Sequence, residues 1–166
     1  MAAEDERRRK EDADVRARQE AQRRAHCDGT RSERVAKARD YARAWVAFIK
    51  RVGPNLKTIR TACVMRDSTG TRIETERDGK GTIVRMHAVG RPDDVKCNGL
   101  PKGVDLEDVR FVLYGLDETY LAGALLDEPE MQNDNATCLD LDKAAGFDTS
   151  VKRSDADGVK KLAGSQ

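Results

Sequence analysis

The residues of this 166-residue chain best suited to chemistry are its four cysteines and two histidines. Cys27, Cys63, Cys97 and Cys138 show no C-x-x-C spacing, and His26 and His87 cannot complete the pattern. A tetrahedral zinc site draws on closely spaced thiolate or imidazole pairs, so no metal is assigned to them. Cys97 in VKCNGLPKG and Cys138 in NDNATCLDLD lie in polar surroundings, where an even cysteine count favours two disulfides and an oxidising compartment. Three pairings are open. The favoured one joins Cys97 to Cys138, both in expected loops of the later half, and leaves Cys27 with Cys63. Cys63 in TACVM would also suit a free core thiol.

Carboxylates are the second group. Asp127, Glu128, Asp134 and Asp140 supply hard oxygens of the kind calcium takes, but no glycine or closing glutamate stands at EF-hand spacing. The expected state is a solvated acidic loop over 127–135. His87 lies in an apolar-alternating stretch with no evident partner for general acid–base work, and no nucleophile motif accompanies it. DGKG at 78–81 reads as a turn, and GLPKG at 99–103 lacks the strand-to-helix setting of a phosphate-binding loop. No catalytic residue and no cofactor are assigned, and the expectation is a protein that is not an enzyme.

A basic helix face is the third group. Arg34, Lys37, Arg39, Arg43 and Arg51 could meet nucleic-acid phosphates or an acidic partner, although no aromatic residue interleaves on that face.

The elements that must position these residues follow from periodicity. EDERRRKEDADVRARQEAQRR has helical composition, opposite charges at i,i+4 and almost no apolar face, so 1–29 reads as a solvated stalk or spacer. Asp28-Gly29 is expected to stop it. Thr30-Arg-Ser-Glu33 then matches a capping box, and Val35, Ala38, Ala42, Trp45 and Ile49 trace one face of a second helix ending at Gly53-Pro54. Strands are expected over 56–65, 72–77 and 82–89, the last two joined by a tight turn. A second hairpin is expected over 109–126, an edge strand over 136–141 and a helical turn over 143–147. The whole predicts an α+β fold: a charged N-terminal helix, then an amphipathic helix packed on a mostly antiparallel sheet of about five to six strands. The expected domains are the helix 1–29, a head 30–148 and a disordered polar tail 149–166.

Residues 1–60 carry 17 basic and 10 acidic groups, and residues 100–150 carry 3 and 12. Such polarity favours self-association or a protein partner of matching charge. No apolar run is long enough to cross a bilayer. The plan, a charged helix followed by YARAWVAFIK and strands bearing Cys63 and Cys97, is similar to that of TolA-like envelope-spanning proteins; the apolar stretch at 109–126 departs from it. That resemblance implies an extracytoplasmic head with an anchor or signal upstream of Met1. The function expected is a structural or protein–protein interaction module of an envelope or particle assembly. The alternative is a cytosolic protein binding nucleic acid or an acidic partner through the basic face.

Overall fold

The computed structural model describes residues 1–115, 121 and 129–164, with side chains omitted for 129–132. The elements are α1 (Ala2–Val52), α2 (Leu56–Ala62), β1 (Cys63–Met65), β2 (Arg72–Arg77), β3 (Ile83–Val89), β4 (Val95–Cys97), α3 (Leu106–Leu113), α4 (Pro129–Ala144) and α5 (Ala156–Gly164). The fold is α+β with a long N-terminal helix. Among the described residues the strands form two antiparallel pairs, β1–β4 and β2–β3, rather than the expected sheet of five to six strands.

α1 is one helix of 51 residues, so the stop expected at Asp28-Gly29 is absent. Local chemistry shows why. The Thr30 hydroxyl donates to the His26 carbonyl at 2.8 Å, four residues back, instead of capping a new helix. Asp28 accepts from Arg31 at 2.7 Å along the helix surface. An interior glycine costs about 1 kcal/mol relative to alanine, which the tertiary contacts of this region outweigh. Gly53 to Asn55 form a single tight 3-10 turn and the chain re-enters a helix, α2, that buries Ile59. The strand expected over 56–65 therefore shrinks to Cys63–Met65, where it pairs with β4 in the register Cys63↔Cys97.

The C-terminal half of α1 supplies one wall of the core. Tyr41, Trp45, Phe48 and Val52 are buried, against Ile73, Ile83 and Met86 of the β2–β3 hairpin and Val109, Phe111 and Val112 of α3. Three rings meet there: Phe48 lies 5.3 Å from Trp45 and 4.9 Å from Phe111 between centroids. The Arg153 guanidinium stands 5.5 Å over Trp45, whose indole N–H donates to the Arg153 carbonyl at 3.0 Å.

The first half of the expected second hairpin is helix α3. The Asp105 carboxylate accepts from the Asp108 N–H at 2.8 Å, and the Asp108 carboxylate accepts from the Asp105 N–H at 3.1 Å, a reciprocal cap that starts the helix. Gly115, at φ 78°, ends it in a conformation that favours glycine. The second half of that hairpin, over 119–126, lies outside the described residues apart from Leu121, which is buried and donates its N–H to the Val151 carbonyl at 2.7 Å. The edge strand expected over 136–141 is part of α4, which ends at Ala144 within the helical turn expected over 143–147. Residues 149–164, expected as a disordered tail, include α5, capped by Asp155 and packed on α1 through Val159 and Leu162.

Gly29→Ala provides the sharpest test of the unbroken helix. A methyl group there meets no atom within 4 Å, so the substitution should stabilise the oxidised protein by about 1 kcal/mol in urea unfolding. A loss of stability would restore the helix break.

Candidate interaction surface

Residues 2–19 of α1 are exposed, and its first buried side chain is Cys27. At 1.5 Å per residue those 18 residues make an arm of about 27 Å. Local ion pairs support it, such as Lys10–Glu6 at 3.6 Å and Arg7–Glu11 at 3.8 Å, each contributing roughly 0.2–0.5 kcal/mol.

The root of the arm is held by α4. Asn135, Cys138 and Asp142, spaced by three and four, form its buried face. Cys138 is bonded to Cys27, with Cα atoms 5.4 Å apart, and Cys63 is bonded to Cys97 across the β1–β4 pair, with Cα atoms 4.0 Å apart. The pairing differs from the favoured expectation because Cys138 sits on a helix facing α1 and Cys97 sits directly opposite Cys63. All four cysteines are paired in these two bonds. In the chain-entropy model, the bridge spanning 111 residues of sequence contributes about 4–5 kcal/mol.

Beside that bridge Asp142 is wholly buried and Arg34 is 2% exposed. Arg34 Nη2 donates to both carboxylate oxygens, at 2.6 and 2.8 Å, and also to the Cys27 carbonyl at 3.0 Å. Arg31 Nε donates to Asp142 Oδ1 at 2.9 Å. Further out, Arg23 donates to Asp140 at 3.0 Å and to the Thr137 carbonyl at 2.7 Å. His26 Nε2 lies 2.9 Å from Asp134 Oδ1. Hydrogen bonding from Arg23 holds the carboxyls of Asp140 and Glu20 below their usual values.

These contacts reassign the candidates. Asp134 and Asp140, considered for calcium, are partners of α1; Asp127 and Glu128 lie outside the described residues. Among the described residues no group of three or more His, Cys, Asp or Glu side chains is arranged to hold a metal. The basic face is also largely engaged. Arg34 is buried on Asp142, Arg43 donates to the Ala163 carbonyl at 3.0 Å, and Arg51 donates to the buried Asp108 at 2.8 Å. That carboxylate raises the Arg51 pKa. Lys37 pairs with Glu33 at 3.3 Å, and Arg39 lines a surface groove beside Phe147. Much of the charge asymmetry is thus paired within one molecule: arginines of α1 meet aspartates of the acidic segment.

His87 is 15% exposed by side chain, with Glu74 at 3.7 Å and Glu107 at 3.9 Å, beyond hydrogen-bonding distance. Neighbouring Arg85 reaches Asp105 at 3.0 Å. Burial raises the Asp105 carboxyl, but the Asp108 N–H and Arg85 outweigh it, and its pKa ends lowered. None of the described grooves includes His87.

Compared with known protein families, curated proteins and solved structures, the chain has no significant match in any of the three. Among the described residues no helix is long and apolar enough to cross a membrane. The two disulfides fit an oxidising environment.

Two outcomes test this seam. Asp142→Asn leaves the Arg34 charge buried without its counterion and should cost about 3–5 kcal/mol in urea unfolding; a cost under about 1 kcal/mol would show that the pair is not formed. Asp140 should titrate below 3.8 by NMR, and Arg23 should release it only as pH falls through that lowered value. Because the folded carboxyl is the stronger acid, the contribution is complete above the unfolded value and lost on acidification. A titration at or above 3.8 would contradict the contact.

Proposed function

We propose that this protein is a non-enzymatic structural or protein–protein interaction module, the head and arm of an extracytoplasmic envelope or particle assembly. The observation that carries the reading is the arm itself: a charged, solvent-exposed helical extension whose root is fixed by a disulfide and a buried ion cluster. An arm fixed at its root holds a partner at a set distance and direction from the head. Its 8 basic and 7 acidic groups over residues 1–26 nearly cancel, which suits protein contacts more than a polyanion. The same point weakens the nucleic-acid alternative, as does the engagement of Arg34 and Arg51 within the fold. The disulfides support a periplasmic or secreted setting.

Photo-crosslinking in cells of the native source tests the reading. A photoreactive amino acid at the exposed Val15 of the arm should yield one discrete protein adduct, lost when a charge-reversed arm is substituted and retained when exposed Val84 of the head carries a charge. No adduct from Val15 or its arm neighbours, with the protein folded and oxidised, would sink the proposal.

A further inference from the structure

The two disulfides differ in what surrounds them. Cys27 and Cys138 are both wholly buried, between two helices and beside the Arg34–Asp142 ion pair. Cys63 is buried, whereas Cys97 is partly exposed and leads into an exposed run, Asn98 to Leu100. This second bond joins residues directly opposite each other on β1 and β4, strands of three residues each. Backbone bonds run from the Asn98 N–H to the Ala62 carbonyl and from the Arg66 N–H to the Asp94 carbonyl, each at 2.8 Å. Hydrogen-bonded and non-bonded pairs alternate along an antiparallel ladder, so Cys63 and Cys97 meet at a non-hydrogen-bonded position. The disulfide, rather than a backbone bond, ties the strands there.

A strand pair this short is marginal without further support. The β2–β3 hairpin, inside the loop that the bond closes, is held separately by α1 and α3, so an opening of β1 and β4 stays local. Exchange requires an external thiolate to reach one sulfur of the disulfide; Cys97 offers that access, and Cys27 and Cys138 do not. We propose that Cys63–Cys97 is a reversible redox switch, opened by an external dithiol while Cys27–Cys138 stays closed. The attacking thiolate bonds to Cys97 Sγ as the Cys63–Cys97 bond breaks, and the departing Cys63 thiolate takes a proton. The second thiolate of the dithiol then displaces Cys97, which is protonated in turn. Two electrons and two protons pass to the protein, and the dithiol becomes a disulfide. β1 and β4 then part, and the arm's root remains fixed. The switch rests on both bonds being formed and is independent of the proposed assembly role.

The full-length oxidised protein, first checked for free thiols in denaturant, is incubated folded with dithiothreitol and trapped over time with N-ethylmaleimide. Peptide mass spectrometry then reads each cysteine. Cys63 and Cys97 should be labelled together, at least about tenfold faster than Cys27 and Cys138, whose reduction waits for a larger opening. With glutathione in place of dithiothreitol, the trapped mixed disulfide should sit on Cys97. In the selectively reduced protein, amide hydrogen exchange should speed up at Arg66 and Asn98 and stay unchanged over residues 35–52 of α1. Oxidised glutathione should restore both the bond and the slow exchange. Free thiols at the outset, equal reduction rates, earlier loss of Cys27–Cys138 or resistance of both bonds in the folded protein would each overturn the proposal. So would a mixed disulfide on Cys63, or faster exchange throughout α1 once Cys63–Cys97 is open.

Discussion

The buried carboxylate of Asp142, held by Arg34 and Arg31 beside the Cys27–Cys138 bond, is the contact on which the architecture depends. A charge removed from water is tolerable only with close counterions and filled hydrogen-bonding capacity. Asp142 has both: two guanidinium groups reach it, and one of them also satisfies the Cys27 carbonyl. The cluster therefore sets where α4 lies on α1 more than it adds net stability. The disulfide makes the same choice covalent.

From that seam the two halves of α1 acquire different fates. Beyond Val35 the helix has an apolar face and enters the core, where Trp45, Phe48 and Phe111 meet and several kcal/mol of burial is available for each large ring. Before Cys27 there is nothing to bury, and the helix persists through local ion pairs and continuity with the anchored portion. Nucleation is the costly step of helix formation, and here the head provides it. The arm is thus an extension of a folded helix, which is why a sequence with almost no apolar face remains helical from residue 2.

The sequence was legible where chemistry was local. The hairpin of β2 and β3 formed in the stretches where alternation and DGKG placed it, and Trp45 lies in the core as its spacing implied. It misled where two signals competed. Asp28-Gly29 resembles a stop and Thr30-Arg-Ser-Glu33 a start, yet tertiary contacts at Cys27, Arg31 and Arg34 carry the helix through. The apolar run 109–114 suggested a strand, although Asp105 and Asp108 at capping-box spacing and Gly115 after Leu113 bracket a helix. α4 was hardest, because its buried face is Asn135, Cys138 and Asp142, a polar face that hydropathic periodicity cannot register. Pro129 at its start and Gly146 just past its end were the available signals. The disulfide pairing failed with it, since both cysteines of the later half had been placed in loops.

The central claim, a single helix that enters the head through a fixed root, is tested most directly by electron–electron distance measurement. Spin labels carried on unnatural amino acids at the exposed Ala13 and Ala36 lie 23 residues apart on either side of Gly29. At the rise of an unbroken α-helix their backbone separation is about 35 Å. The account predicts one narrow distribution near that value in the oxidised protein, and an equally narrow arm-to-head distribution for a second label pair at Ala13 and Val84. A distribution that is short, broad or split between the two halves would mean that the chain bends at Asp28-Gly29 and that the arm is not held by the head.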